Sequence, residues 1–136
     1  GERTAEQIKI ELGSAVEFEG AEDMEIRGRN LIDGMPANIT ISADEVREAL
    51  ADCVATITDA VRSTLEKTPP ELASDIIDKG IMMTGGGSIL SNLDTVIRNA
   101  TGLPVSLAED PLTCVVRGTG MALDNFEEFR GVLYDN

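Results

Sequence analysis

The chain has 136 residues, of which 25 are acidic, 11 are basic and none is histidine, so its formal net charge at pH 7 is −14. This length suffices for one domain with a hydrophobic core, and the charge argues against nucleic acid and against a polybasic membrane patch, which both need basic residues. The acidic charge favours a soluble, cytoplasmic protein with a self-repelling surface. No apolar run approaches the roughly 20 residues that span a bilayer, and no signal peptide is recognisable.

The first half of the chain predicts a helix, a β-hairpin and a long helix. A helical face occupies 3–12, and residues 22–42 predict two strands around the turn signal Asp33-Gly34. Ser42 is expected to cap the long helix, with Glu45 at the capping-box position. Apolar residues then recur at spacings of three or four and predict a core-facing stripe of Val46, Leu50, Val54, Ile57, Val61 and Leu65.

The second half predicts helices that alternate with strands. Thr68-Pro69-Pro70-Glu71 ends the long helix and begins a short one through about Lys79. The expected elements that follow are a strand at Ile81–Thr84, a helix at Ser88–Ala100, a strand at Val105–Ala108 and a helix at Asp110–Leu123. Strands separated by helices predict an α/β sheet. Because two strands do not complete such a sheet, and because the chain opens on Gly1 with a helical pattern, we expect a piece of a longer polypeptide.

Three consecutive glycines, Gly85 to Gly87, separate the first of these strands from the helix pattern that begins at Ser88, a favoured N-cap residue. Glycine has no Cβ, so a flat ligand can approach its backbone closely. The free N–H groups at a helix start point towards the same place. The pattern favours part of a nucleotide site, although an ordinary strand-to-helix turn also prefers Gly and Ser. Met82 and Met83 are expected to be core residues of the strand.

Other features have simpler interpretations. Cys53 and Cys114 lack metal-site spacing, and two buried reduced thiols are preferred over a disulfide, which the sequence leaves open. Gly118-Thr119-Gly120 predicts close packing of a helix against its neighbour, with a hinge as the alternative. An acidic group is expected to form a solvated rim rather than a metal site; it consists of Glu17, Glu19, Glu22, Asp23 and Glu25.

Five segments carry long and unusual motifs: Gly1–Lys9, Ile26–Leu31, Thr68–Ile76, Thr84–Gly87 and Ala108–Val115. Together they resemble the bacterial MreB family of actin-like cell-shape proteins. The similarity runs over essentially all 136 residues and corresponds to the C-terminal part of the family, subdomain IIB and the end of IIA. Two departures are small: residues 88–92 replace a commoner small and basic pattern, and residues 21–23 lie where length varies.

The resemblance implies a partial actin-like ATPase fold of the α/β class, with a small α+β subdomain inserted beside an incomplete α/β subdomain. On this interpretation residues 1–13 form a helix edge of the nucleotide-binding subdomain. Residues 14–79 form the α+β insertion, which is similar to IIB. Residues 80–136 form the C-terminal part of the nucleotide-binding subdomain, which is similar to IIA, with a tail helix.

The resemblance also implies an ATP site. By analogy, two groups of residues contact the adenosine: Glu6, Gln7, Ile8 and Lys9 on the first helix, and Thr84, Gly85, Gly86 and Gly87 at the glycine turn. A solvent-exposed ion pair is the alternative for Glu6 and Lys9. Members of the family use an Asp-Leu-Gly-Thr-type phosphate loop, a second loop of the Asp-x-Gly-Gly-Gly type, and acidic residues that position the attacking water and Mg²⁺; none of these motifs occurs here. We therefore expect no catalytic and no metal-binding residue in this segment, and ATP hydrolysis only in the full-length protein.

The function that the resemblance implies is an ATP-dependent cytoskeletal filament that controls rod cell shape by organising cell-wall synthesis beneath the inner membrane. Expected partners are further copies of the subunit, joined head to tail, and cell-shape and wall-synthesis proteins. Nucleic acid and direct membrane insertion by this segment are not expected. The alternatives are an organelle-aligning or plasmid-segregating filament, an ATP-dependent chaperone or sugar kinase of the same superfold, and an interaction module without nucleotide.

Overall fold

The computed structural model describes residues 1–17, 20 and 23–134 of the chain, which has a mixed α/β structure. In chain order the elements are α1 (Glu2–Leu12), β1 (Met24–Arg29), β2 (Pro36–Ile41), α2 (Ala43–Lys67), α3 (Pro70–Lys79), β3 (Ile81–Met83), a 3₁₀ turn (Gly86–Ile89), α4 (Leu93–Thr101), β4 (Val105–Leu107), α5 (Cys114–Asp124) and α6 (Phe126–Tyr134). Two separate pairs of strands result, one antiparallel and one parallel.

The antiparallel pair is the predicted hairpin. Its register runs from Met24 opposite Ile41 to Arg29 opposite Pro36. The connecting turn is held by its own residues, since the Gly34 N–H donates to the Asn30 carbonyl at 2.9 Å and Arg29 Nε donates to the Gly34 carbonyl at 2.9 Å. The hairpin is therefore a local structure that closes without help from distant parts of the chain.

The long helix α2 begins and ends where the sequence predicts. The Ser42 hydroxyl accepts from the Glu45 N–H, and the Glu45 carboxylate accepts from the Ser42 N–H at 2.9 Å, which completes the capping box. Hydrogen bonds from the Ser42 backbone N–H, which has the larger effect, and from the Ser42 side chain lower the pKa of the Glu45 carboxyl below its ordinary value. The helix ends before Pro69, whose ring disfavours helical geometry at Thr68.

The stripe predicted on α2 is only partly correct. Val46 and Val54 are buried, but Ile57 is 42% exposed and Thr58 is buried instead, with its hydroxyl donating to the Val54 carbonyl at 2.8 Å. The helix packs against α1 near its start and against α4 further along. Because the neighbour changes, the buried side turns around the helix axis, and one fixed stripe does not describe the whole helix.

Two hydrophobic clusters form the core. The larger cluster contains the buried residues Val54, Met83, Leu93, Ile97 and Val105. The smaller cluster contains Leu12, Ala43 and Val46, with Ile8 and Leu50 partly buried against it. Since Val46 and Val54 both belong to α2, this helix takes part in both clusters.

The parallel pair consists of β3 and β4, joined through α4. Ile81 lies opposite Val105 and Met83 opposite Leu107, in the βαβ arrangement that the alternating elements predict. Gly80 brings the chain into β3 with φ of 75°, and a Cβ at this position would lie 2.4 Å from the Pro104 carbonyl oxygen. Only glycine fits this close approach of the two strands.

The helix expected from Ser88 begins later. Residues Gly86–Ile89 form a 3₁₀ turn, and α4 starts at Leu93 after Asn92, whose φ is 61°. The Ser88 hydroxyl donates to the Gly85 carbonyl at 2.6 Å and caps no α-helix. The prediction failed because the left-handed residue at 92 interrupts the helical pattern, which hydrophobic spacing alone does not reveal.

The helix expected from Asp110 also begins later, at Cys114. Asp110 has φ of 53° and precedes Pro111, so the chain makes a turn before α5 starts. Within α5, a Cβ at Gly118 or Gly120 would meet nothing within 4 Å. The predicted close packing at these glycines is therefore wrong for the part of the chain that the structure describes.

Three further expectations concern burial. Met83 is buried but Met82 is 64% exposed, because alternate residues of a strand face opposite sides. The prediction of two buried thiols is wrong: both are free, Cys53 is exposed and Cys114 is half-buried. In the predicted acidic rim Glu17, Asp23 and Glu25 are exposed, while Glu19 and Glu22 lie outside the described residues.

Candidate functional site

The glycine turn begins where β3 ends and is held by the segment that follows β4. Thr84 Oγ1 donates to the Pro111 carbonyl at 3.1 Å, and the Gly85 N–H donates to the same carbonyl at 2.9 Å. Pro111 lies in the segment that follows β4. The turn thus occupies the edge at which the carboxyl ends of the two parallel strands meet, and open α/β sheets bind ligands at this edge.

The backbone of the turn is accessible. Thr84, Gly86 and Gly87 are exposed and Gly85 is half-buried. A Cβ at Gly85 or Gly87 would meet nothing within 4 Å, and one at Gly86 would touch only the Leu112 side chain, at 3.4 Å. With φ of 85°, Gly85 has a backbone conformation that residues with a Cβ rarely adopt. The space beside the backbone of the turn is therefore open.

The second predicted group lies on α1. Glu6, Gln7 and Lys9 are exposed, and Ile8 is partly buried against the smaller cluster. Gln7 donates to the Glu11 carboxylate at 2.9 Å. Among the described residues no ion pair joins Glu6 to Lys9 within 4.0 Å. The polar ends of Glu6 and Lys9 are thus available to a ligand, whereas Ile8 already has a packing role.

The two predicted groups do not share a groove, although hydrogen bonds join the residues that follow each of them. Ser14, which follows α1 and is 2% exposed, accepts from Asn92 Nδ2 at 3.0 Å, and the Ala15 N–H donates to the Ser91 carbonyl at 2.8 Å. These bonds fix the end of α1 against the residues that follow the glycine turn. Glu6, Ile8 and Lys9 line an open groove of about 860 Å³ with residues of β2 and α2, and residues 84–87 are not part of its lining.

Within residues 1–17, 20 and 23–134, no three His, Cys, Asp or Glu side chains come together in a way that could hold a metal ion. None of the helices in these ranges combines the length and the apolar character that crossing a membrane requires.

The residue that holds the glycine turn was missed at the sequence level. Pro111 acts through its backbone carbonyl, which every residue type has, so no residue pattern identifies it. The one available signal is the Glu-Asp-Pro-Leu-Thr-Cys motif, residues 109–114, which lies within the segment Ala108–Val115 that carries the family resemblance.

Solved structures have a similar fold. The chain is similar to MreB5 of Spiroplasma citri bound to ADP, with a TM-score of 0.87 and 38% identity over 94% of this chain and 39% of that one. It is also similar to MreB 5 of the same organism bound to AMPPNP, with a TM-score of 0.85, 38% identity, and coverage of 94% and 38%. The fold is therefore that of an actin-like protein.

Sequence comparison gives the family. A family model described as MreB/Mbl protein matches residues 1–131. The cell shape-determining protein MreB of Escherichia coli (strain K12) is 48% identical over 134 residues, which are 98% of this chain and 39% of that protein. The cell shape-determining protein Mbl of Bacillus subtilis (strain 168) is 46% identical over 128 residues, 94% of this chain and 38% of that protein. The chain belongs to the MreB/Mbl family, as its motifs indicated, and spans about two fifths of the length of these relatives.

Proposed function

We propose that this chain forms the adenosine side of the ATP site in an actin-like subunit that assembles into a cell-shape filament. The observation that carries the proposal is the open glycine turn at the carboxyl end of β3, fixed from the β4 side by the Pro111 carbonyl. Support comes from the solved relatives, which hold ADP and AMPPNP, and from the relatives that are named cell shape-determining proteins.

Within the proposed site, each group has a chemical task. Residues 84–87 offer a flat backbone surface to the base and ribose. The Glu6 carboxylate is able to accept from ribose hydroxyls, and the Lys9 ammonium donates to acceptors on the base. Gln7 and Ile8 complete the predicted contact segment, Ile8 by anchoring α1 to the smaller cluster.

The phosphates and Mg²⁺ are assigned to other parts of a full-length subunit. The chain spans about two fifths of its relatives, and α5 with its preceding turn exposes large apolar side chains, which supports packing against further segments; they are Leu112, Val115, Val116, Met121 and Leu123. Mg²⁺ would neutralise charge on the phosphates during hydrolysis. We assign residues 1–13, 14–79 and 80–136 to the subdomain parts given above, and weak ATP hydrolysis to the full-length protein and not to this segment alone.

The proposed cellular mechanism is polymerisation. ATP closes the two halves of each subunit and favours head-to-tail contacts, and hydrolysis weakens them. A heterologous contact that does not close produces an open filament. We place these filaments in the cytoplasm beneath the inner membrane, where cell-shape and wall-synthesis proteins are their partners.

Replacing Gly86 with Val in the full-length protein tests the site. The added side chain would occupy the space of the base, and it should weaken ATP binding about tenfold or more, a loss of at least about 1.4 kcal/mol. The fold should be retained, because a Cβ at Gly86 makes only one ordinary contact, at 3.4 Å from Leu112. Titration calorimetry with ATP and Mg²⁺ gives the affinity.

The matched control is Gly28→Val in β1, an exposed strand position at which a Cβ would meet nothing within 4 Å. It should bind ATP as the wild type does. If Gly86→Val is folded and binds ATP with unchanged affinity, the glycine turn is not the adenosine site.

A further inference from the structure

The segment between β4 and α5 determines the shape of the glycine turn. Its Pro111 carbonyl accepts from both the Thr84 hydroxyl and the Gly85 N–H, at 3.1 and 2.9 Å. These are the first two residues of the turn. A run of glycines loses more conformational freedom on ordering than any other sequence. A carbonyl that accepts two hydrogen bonds from the turn therefore has a large effect on how well the turn is ordered before a ligand binds.

The residue before Pro111, Asp110, has an unusual backbone conformation. Asp110 has φ of 53°, a left-handed conformation that aspartate and asparagine tolerate better than other residues with a Cβ. In the described ranges only Asn92 shares this property among non-glycine residues. The Asp110 carboxylate accepts from the Thr113 hydroxyl, and its carbonyl accepts from the Thr113 N–H at 3.1 Å. The turn from 110 to 113 is therefore closed by the side chain and the backbone of the same two residues.

Asp110 is exposed, so packing does not explain its conformation. This conformation precedes the Pro111 carbonyl, which lies against the glycine turn. We propose that Asp110 is a positioning residue for nucleotide binding, which keeps the glycine turn in its ligand-ready shape through Pro111. This inference rests on the proposed function of the turn. Preorganisation of this kind raises affinity because less conformational entropy is lost on binding.

The test uses the full-length protein with three substitutions in the turn from 110 to 113 and one control substitution. Asp110→Ala removes both the tolerance for positive φ and the acceptor for Thr113, and it should raise the Kd for ATP about tenfold. Asp110→Asn keeps both properties without the charge, so its Kd should stay within about twofold of the wild type. Thr113→Val removes only the hydroxyl and should raise the Kd about threefold. Asp78→Ala, an exposed aspartate of α3, is the control and should change nothing.

A second ligand separates positioning from a general loss of structure. Inorganic triphosphate offers phosphates without adenosine, so Asp110→Ala should bind it as the wild type does, while ATP binding falls. Calorimetric titrations with each ligand, together with thermal midpoints, give the comparison. If Asp110→Ala does not fold, Thr113→Val against wild type with the same two ligands decides the question.

The outcomes are distinct. The inference fails if Asp110→Ala binds ATP within about twofold of the wild type while Gly86→Val binds it weakly. It also fails if Asp110→Asn is as weak as Asp110→Ala, because charge and not shape would then be responsible, or if triphosphate binding falls together with ATP binding. If Gly86→Val and Asp110→Ala both bind ATP normally, the proposed function of the turn fails with it.

Discussion

The two hydrophobic clusters differ in depth. In the larger cluster Leu93 and Ile97 are only 3% exposed, although Val54, Met83 and Val105 lie at 7–8%, whereas every buried member of the smaller cluster (Leu12, Ala43 and Val46) lies at 8–9%. The larger cluster joins α2, α4 and the parallel strands, while the smaller one joins α1, the hairpin and the start of α2. The difference indicates that the larger cluster contributes most of the free energy of unfolding. The hairpin region packs on the rest of the chain through less deeply buried side chains.

The largest expected effect comes from placing one charge in each cluster. Leu93→Asp buries an unpaired carboxylate and should lower the free energy of unfolding by roughly 3–5 kcal/mol. We also expect Leu50→Asp to destabilise the hairpin region, but by only about 1–2 kcal/mol, because Leu50 is half-buried and water can reach the new charge. Urea denaturation followed by circular dichroism measures both. Equal losses would show that the two clusters do not differ in the way their burial suggests.

A smaller effect is expected from glycine substitutions, again one in each region. Gly80→Ala should cost about 3 kcal/mol, because its φ of 75° suits glycine and a Cβ would lie 2.4 Å from the Pro104 carbonyl oxygen. Gly28→Ala in β1 meets nothing within 4 Å and should leave stability unchanged or raise it by about 0.5 kcal/mol. The measurement is the shift in thermal midpoint. A tolerated alanine at position 80 would mean that β3 does not approach the Pro104 backbone closely.

The smallest effect concerns pH and belongs to the hairpin region alone. Hydrogen bonds from the Ser42 backbone and side chain lower the pKa of Glu45 in the folded chain. A carboxyl whose pKa is lowered by folding stabilises the folded state above its ordinary pKa of about 4.3, and this contribution is lost as the pH falls through the lowered value. Glu45→Gln should therefore have a lower thermal midpoint than the wild type at pH 7, and the difference should shrink as the pH falls below about 4.

The control for this pH effect is Glu48→Gln, which removes the same charge from the same helix outside its cap. The difference in thermal midpoint between Glu48→Gln and the wild type should not change with pH in the way expected for Glu45→Gln. A difference between wild type and Glu45→Gln that stays constant with pH would show that the capping box does not distinguish the charged carboxylate.

The two regions also differ in how well the sequence predicts them. The hairpin and the start of α2 were predicted correctly, because Asp33-Gly34 and Ser42 with Glu45 act on residues only a few positions away. The starts of α4 and α5 were predicted wrongly, since they depend on the positive φ of Asn92 and Asp110. The spacing of hydrophobic residues does not reveal a positive φ.

The candidate site also combines a feature that the sequence predicts with one that only the fold reveals. The glycines at 85–87 were visible in the sequence, because the chemistry lies in the residue type itself. The carbonyl that holds them comes from Pro111, in a segment brought close by the parallel pairing of β3 with β4. Such a contact between distant segments follows from the fold and not from a local pattern, so its role became visible only in three dimensions.

The helix α2 has a mechanical consequence. It has 25 residues, which at 1.5 Å per residue makes a rod about 38 Å long. Val46 fixes this rod in the smaller cluster and Val54 fixes it in the larger one. A force applied to the hairpin is therefore transmitted along one stiff element to the strands that carry the glycine turn, without passing through the connection between α1 and β1. Tension on the hairpin is thus coupled through this helix to the geometry of the glycine turn.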